Sequence, residues 1–98
     1  MPSRGDTPSP SADDHAVMQH VGARILALRH ALSLNQDEFA HRAGMHRSYV
    51  TQVENGRKDL RITTLQRVAV AFGLQLHELL DPSFVFDADE LHAKRDDA

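Results

Sequence analysis

The stretch from Gln36 to Asn55 constrains this chain more than any other. It places small and apolar residues where two short helices, crossing steeply through a tight turn, require them. Ala40 falls where the first helix passes closest to the second, so a larger side chain there would push them apart. Gly44 makes the turn, because it accepts a left-handed backbone without a steric cost. Phe39, Ala43, Met45, Val50 and Val53 are expected to face the core. The first of these helices is predicted over Gln36 to Ala43, with Asn35 as its N-cap, Glu38 three residues later, and the acids of its first turn matched to the helix dipole. The second is predicted over Arg47 to Glu54, closed by Asn55-Gly56. Its outward residues are Arg47, Ser48, Thr51 and Gln52, which all form hydrogen bonds and none of which is acidic.

The remaining pattern is helical too. From Ala16, the residues Val17, Val21, Ile25, Leu28 and Leu32 recur at steps of four, four, three and four, which stacks them on one helical face ending near Leu32 or Ser33. Leu65, Val68, Ala69 and Phe72 mark a fourth helix up to Gly73. Leu76, Leu79 and Leu80 mark a fifth before Asp81-Pro82. Ser83 to Phe86 is expected either as a short strand or as an irregular apolar tail. The fold class is therefore all-α with five helices. A length of 98 residues suffices for one domain and not for two. The expected organisation is a disordered arm over 1–14, rich in Pro, Ser, Gly and Asp, a folded domain over 15–81, and an acidic tail over 82–98.

Charge is distributed unevenly along this organisation. The formal net charge is −3, yet residues 21–80 hold eight Lys or Arg against five Asp or Glu, a net of +3, while 1–20 carry −2 and 81–98 carry −4. Basic charge thus lies in the folded part, where contact with an anionic partner would be made. The absence of cysteine excludes disulfides, thiolate metal ligands and a cysteine nucleophile. No run approaches eighteen apolar residues and no secretion signal opens the chain, so a cytoplasmic protein without membrane contact is expected. The seven histidines form no HExxH pair and do not converge on one helical face, so no metal and no cofactor is expected. Ser48 with His46 nearby lacks an oriented third partner and a glycine-rich loop, which argues against an enzyme. No small-molecule pocket is legible.

The segments Leu34-Asn35-Gln36-Asp37-Glu38-Phe39-Ala40, Ala43-Gly44 and Val53-Glu54-Asn55-Gly56-Arg57 resemble, in residue type and spacing, the Xre-like helix-turn-helix regulators. That family includes the lambdoid phage repressors and the controller proteins of restriction-modification systems. His46-Arg47-Ser48-Tyr49-Val50 is most similar to the controller branch, and the resemblance covers about Val21 to Asp81. It implies a five-helix, lambda-repressor-like domain that regulates transcription as a homodimer on an inverted repeat in double-stranded DNA, with RNA polymerase as a further candidate partner.

The resemblance also implies roles for single residues. Arg47, Ser48 and Gln52 match base-contacting positions, and Thr51 shares their face. Gln36, Asn55 and Arg57 match positions that hold phosphates, and they would set register without reading sequence. Tyr49 either joins them or packs beneath its helix. Arg29 and Glu54 match a pair that fixes the recognition helix. Arg61 stands where the family carries a serine or threonine cap, so the fourth helix is expected to open at a shifted position near Thr63 or with another group as cap. The exchange makes Lys58 and Arg61 candidate phosphate contacts beside their reading as solvated loop residues. Leu76, Leu79, Leu80, Phe84 and Phe86 are expected either in the two-fold dimer seam or in the core with the tail folded back on it. The competing function is that of an antitoxin or other protein-binding module that engages a partner through the tail.

Overall fold

The computed structural model describes residues 11–85. Among these residues it holds five helices, α1 (Ala12–Ala31), α2 (Gln36–Ala43), α3 (Arg47–Glu54), α4 (Ile62–Phe72) and α5 (Leu76–Leu80), and no strand. Pro82 and Ser83 form a turn, and residues 83–85 are not in a strand. Phe86 lies outside the described residues.

α1 starts four residues before the expected Ala16. Ser11 and Asp14 form a reciprocal capping box: the Asp14 N–H donates to Ser11 Oγ at 3.1 Å, and the Ser11 N–H donates to the Asp14 carboxylate at 2.9 Å. Residues 12–14, expected in the arm, thus belong to the capped helix. They are poor in apolar residues and show no periodicity, yet a helix anchored further along needs only to propagate its exposed first turn, not to nucleate it. For the same reason Val17, expected on the inner face, is 63% exposed. The buried stripe of α1 begins at half-buried Val21 and continues through Ile25, Leu28 and Leu32.

These side chains meet Phe39, Ala40 and Ala43 of α2, Val50 and Val53 of α3, and Val68, Ala69 and Phe72 of α4 in one core, which Leu34, Leu74 and Leu79 complete. The rings of Phe39 and Phe72 stack with centroids 4.9 Å apart, tying α2 to α4. α1 packs on α3 with no room for a side chain at residue 22: a Cβ on Gly22 would collide with the Val53 carbonyl oxygen. Gly44 has φ +69°, the left-handed turn that its position between α2 and α3 demands.

α4 opens at Ile62 with Arg61 as its N-cap and no side-chain hydrogen bond there, so the expected shift toward Thr63 does not occur. At the other end of the domain Arg24 acts as a clasp. Its Nε donates to the Leu79 carbonyl at 2.6 Å, and one terminal nitrogen donates to the carbonyls of Glu78 at 2.9 Å and Phe84 at 3.4 Å. The last carbonyls of α5 and the following turn are thereby satisfied by a cation, as the negative end of a helix favours.

Candidate nucleic-acid interface

The first two residues of α3 and the two one turn later decide what this surface can meet. Arg47, Ser48, Thr51 and Gln52 are all exposed, and Asn55 continues the same side just past the helix. Positions i, i+1, i+4 and i+5 share one face of a helix, so the four side chains form a single polar stripe. Val50 and Val53, on the opposite side, are buried. Arg57 and Arg61 are exposed beyond the C-terminal end of α3, and Lys58 is half-buried with its ammonium 5.8 Å from the centroid of the Tyr49 ring. At that distance the half-buried Tyr49 ring attracts the ammonium of Lys58.

What keeps the stripe in place is a buried ion pair. Arg29 Nε donates to Glu54 Oε2 at 2.6 Å and a terminal nitrogen donates to Oε1 at 3.0 Å, a two-point grip between α1 and the end of α3. The other terminal nitrogen donates to the Leu34 carbonyl at 2.9 Å. The two side chains are only 9% and 5% exposed. At such burial the pair is stable only because each guanidinium nitrogen finds an acceptor. Among the described residues no buried side-chain nitrogen or oxygen lacks a hydrogen-bond partner.

Gln36, matched above to a phosphate-holding position, is half-buried, with its carboxamide turned toward α3: Nε2 donates to Glu54 Oε1 at 3.0 Å, and Oε1 accepts from the Thr51 hydroxyl at 3.3 Å. The side chain is thus a link between the ion pair and the polar stripe. A resemblance assigns a residue its place on the helix but not its rotamer, and the rotamer is set here by the acceptor-only carboxylate of Glu54.

Arg47 lies 3.9 Å from the Asp37 carboxylate, and both side chains are largely exposed. A pair this open is screened by water and leaves the guanidinium available to a stronger anion or to a base edge.

Of the residues expected in a dimer seam, Leu79 is 1% exposed within the single chain and offers nothing to a second copy. The Arg24 clasp holds the backbone carbonyls of Glu78 and Leu79. Leu76 and Phe84 are half-buried against the core, and Leu80 is 39% exposed. Leu80 borders a groove lined by Val17, Met18, Val21, Leu60 and Leu65 together with the charged Lys58 and Asp59. Among the described residues no cluster of three or more His, Asp or Glu is placed to hold a metal, and no helix is long and apolar enough to cross a membrane.

Two short helices at this crossing, with a left-handed glycine between them and a polar stripe on the second, match a known architecture. The profile of the helix-turn-helix family matches residues 25–79. The chain belongs to the Xre-like helix-turn-helix family. Members of this helix-turn-helix family are DNA-binding transcription regulators, and it is not a family of enzymes. The chain is 37% identical over 60 residues to the immunity repressor protein of Bacillus phage phi105, an alignment covering 61% of this chain and 42% of that protein. It therefore spans less than half the length of that relative. It is 26% identical over 61 residues to the control protein C.BamHI of Bacillus amyloliquefaciens, covering 61% of this chain and 75% of the relative. Among solved structures it is similar to the restriction-modification controller protein C.AhdI from Aeromonas hydrophila. There the TM-score is 0.65 and the identity 33%, over 68% of this chain and 97% of that one.

Proposed function

We propose that this helix-turn-helix chain is a sequence-specific transcription regulator that binds an inverted-repeat operator as a homodimer, with α3 in the major groove. The observation that carries the reading is the polar stripe Arg47, Ser48, Thr51 and Gln52, which is exposed, free of acids and rigidly backed by the Arg29–Glu54 pair. A groove about as wide as an α-helix accepts such a face, and Arg and Gln are the residue types that make two-point contacts to guanine and adenine. Asn55, Arg57, Lys58 and Arg61 follow the C-terminal end of the stripe and would hold phosphates there, fixing register. Gln36 contributes from behind the stripe, and Tyr49 through the lysine it supports.

The dimer seam proposed here is narrower at one end and broader at the other than sequence suggests. It centres on Leu80 and the largely apolar groove of Val17, Val21, Leu60 and Leu65, while Leu76 and Phe84 stay packed on the core. Side chains of this kind, clustered and left open by a single chain, favour a self-complementary contact.

Selection of bound sites from randomised duplex tests both halves together. The expected winners are two inverted half-sites about 10 base pairs, or roughly 34 Å, apart. Leu80→Asp is expected to leave each half-site preference intact and to abolish the requirement for two. A single unsymmetrical site, or a Leu80→Asp protein that remains dimeric, would contradict the homodimeric reading.

A further inference from the structure

We infer that Thr51 reads the duplex as a hydrogen-bond acceptor, with its polarity fixed from beneath by Gln36. This deepens the proposed function and rests on α3 facing the bases.

The inference follows from which atoms can donate. Glu54 can only accept, and its Oε1 takes hydrogen bonds from Arg29 and from the nitrogen of Gln36, each at 3.0 Å. The amide of Gln36 is therefore fixed in one of its two orientations: the amino end meets the carboxylate, and Oε1 is left to face Thr51. Thr51 Oγ1 lies 3.3 Å from that oxygen and 3.3 Å from the Arg47 backbone carbonyl one turn earlier. Neither oxygen can donate. The single hydroxyl proton is held between them, on the protein side, and the lone pairs of Oγ1 are what the exposed face of Thr51 presents.

An outward acceptor has one kind of complement on the floor of the major groove. The exocyclic amines of adenine and cytosine donate there, whereas guanine O6 and thymine O4 would set acceptor against acceptor. Arg47, one turn earlier on the same face, has the opposite polarity, because a guanidinium can only donate. The stripe thus alternates donor and acceptor, and Arg29, Glu54 and Gln36 act in series as positioning residues for the second of these.

The test uses the full chain on its selected operator, with the amine removed one base at a time by placing purine for adenine or 2-pyrimidinone for cytosine. At one position of each half-site the wild type is expected to lose roughly three- to tenfold in affinity, about the worth of one hydrogen bond. Thr51→Val is expected to bind the operator yet show no loss on that change, and Thr51→Ser, which keeps the hydroxyl, to show the full loss. Gln36→Leu is expected to shrink the preference for an amine over a carbonyl at that position with the melting temperature held. Failure to bind any duplex overturns this inference together with the proposed function. Binding in which Thr51→Val keeps the wild-type losses, or in which removing a carbonyl and not an amine weakens the wild type, overturns the role of Thr51 alone. An unchanged preference in Gln36→Leu removes Gln36 from it.

Discussion

Glu54 concentrates more of the architecture than any other side chain. It takes three hydrogen bonds, two from Arg29 and one from Gln36, and so joins α1, α2 and α3 at nearly complete burial. Removing it leaves a buried guanidinium with one backbone acceptor in place of three. Glu54→Ala should therefore destabilise the fold by about 3–5 kcal/mol, the usual cost of stranding one partner of a buried pair. Thermal unfolding checks this, and a melting temperature within a degree or two of the wild type would show that the pair contributes little. The pairing of Arg29 with Glu54 was legible from the family resemblance. The direction of Gln36 was not, because the same position on α2 can point to solvent or to α3, and only a neighbouring acceptor decides. Gly22 escaped notice for a related reason. Within an apolar helical stripe a glycine has no periodic signal, and its need appears only when the Val53 carbonyl is seen against it.

At the scale of elements, legibility followed the caps. α2 was readable to the residue because Asn35 and Glu38 form a capping box at one end and Gly44 a left-handed stop at the other. α1 carries the same signal in Ser11 and Asp14, but its first turn lies beyond the core, where hydrophobic periodicity has nothing to report. The box makes a prediction about acid. Hydrogen bonds from the Ser11 backbone N–H, and next from its side chain, hold the Asp14 carboxyl below its ordinary 3.8. A carboxyl with a depressed folded-state pKa stabilises above its unfolded value and loses that contribution as pH falls through the folded one. On acidification below the usual carboxylate range, the amide resonances of Ala12 to His15 are expected to move toward coil positions before those of Val50 or Val68 change. Asp14→Ala should show that displaced state already at neutral pH, with no further step. A first turn in the wild type that keeps its shifts until the whole domain unfolds would contradict the box as the cause.

The whole molecule shows what a single core leaves over. Expectation and structure agree on the five helices and on the core lining drawn from α2, α3 and α4, since burial patterns at helical spacing record which face turns inward. Which leftover apolar residues stay open was less legible. Leu76, Leu79 and Leu80 are equivalent as letters, and it is the direction in which α5 meets the core that buries Leu79 while Leu80 stays open. The result is a domain with distinct outward faces: a polar, cationic-flanked face built on α3, and an apolar groove between α1, α4 and α5. In the proposed function the first face would meet the bases and the second would form the two-fold seam. The claim that α3 reads bases is tested most directly by titrating wild type and Arg47→Ala against the selected operator and against random duplex of the same length and salt. The account predicts that Arg47→Ala weakens operator binding roughly 5- to 100-fold, the range expected for a two-point base contact, while random-duplex binding falls far less. Equal losses on both duplexes, or no preference for the operator in the wild type, would contradict it.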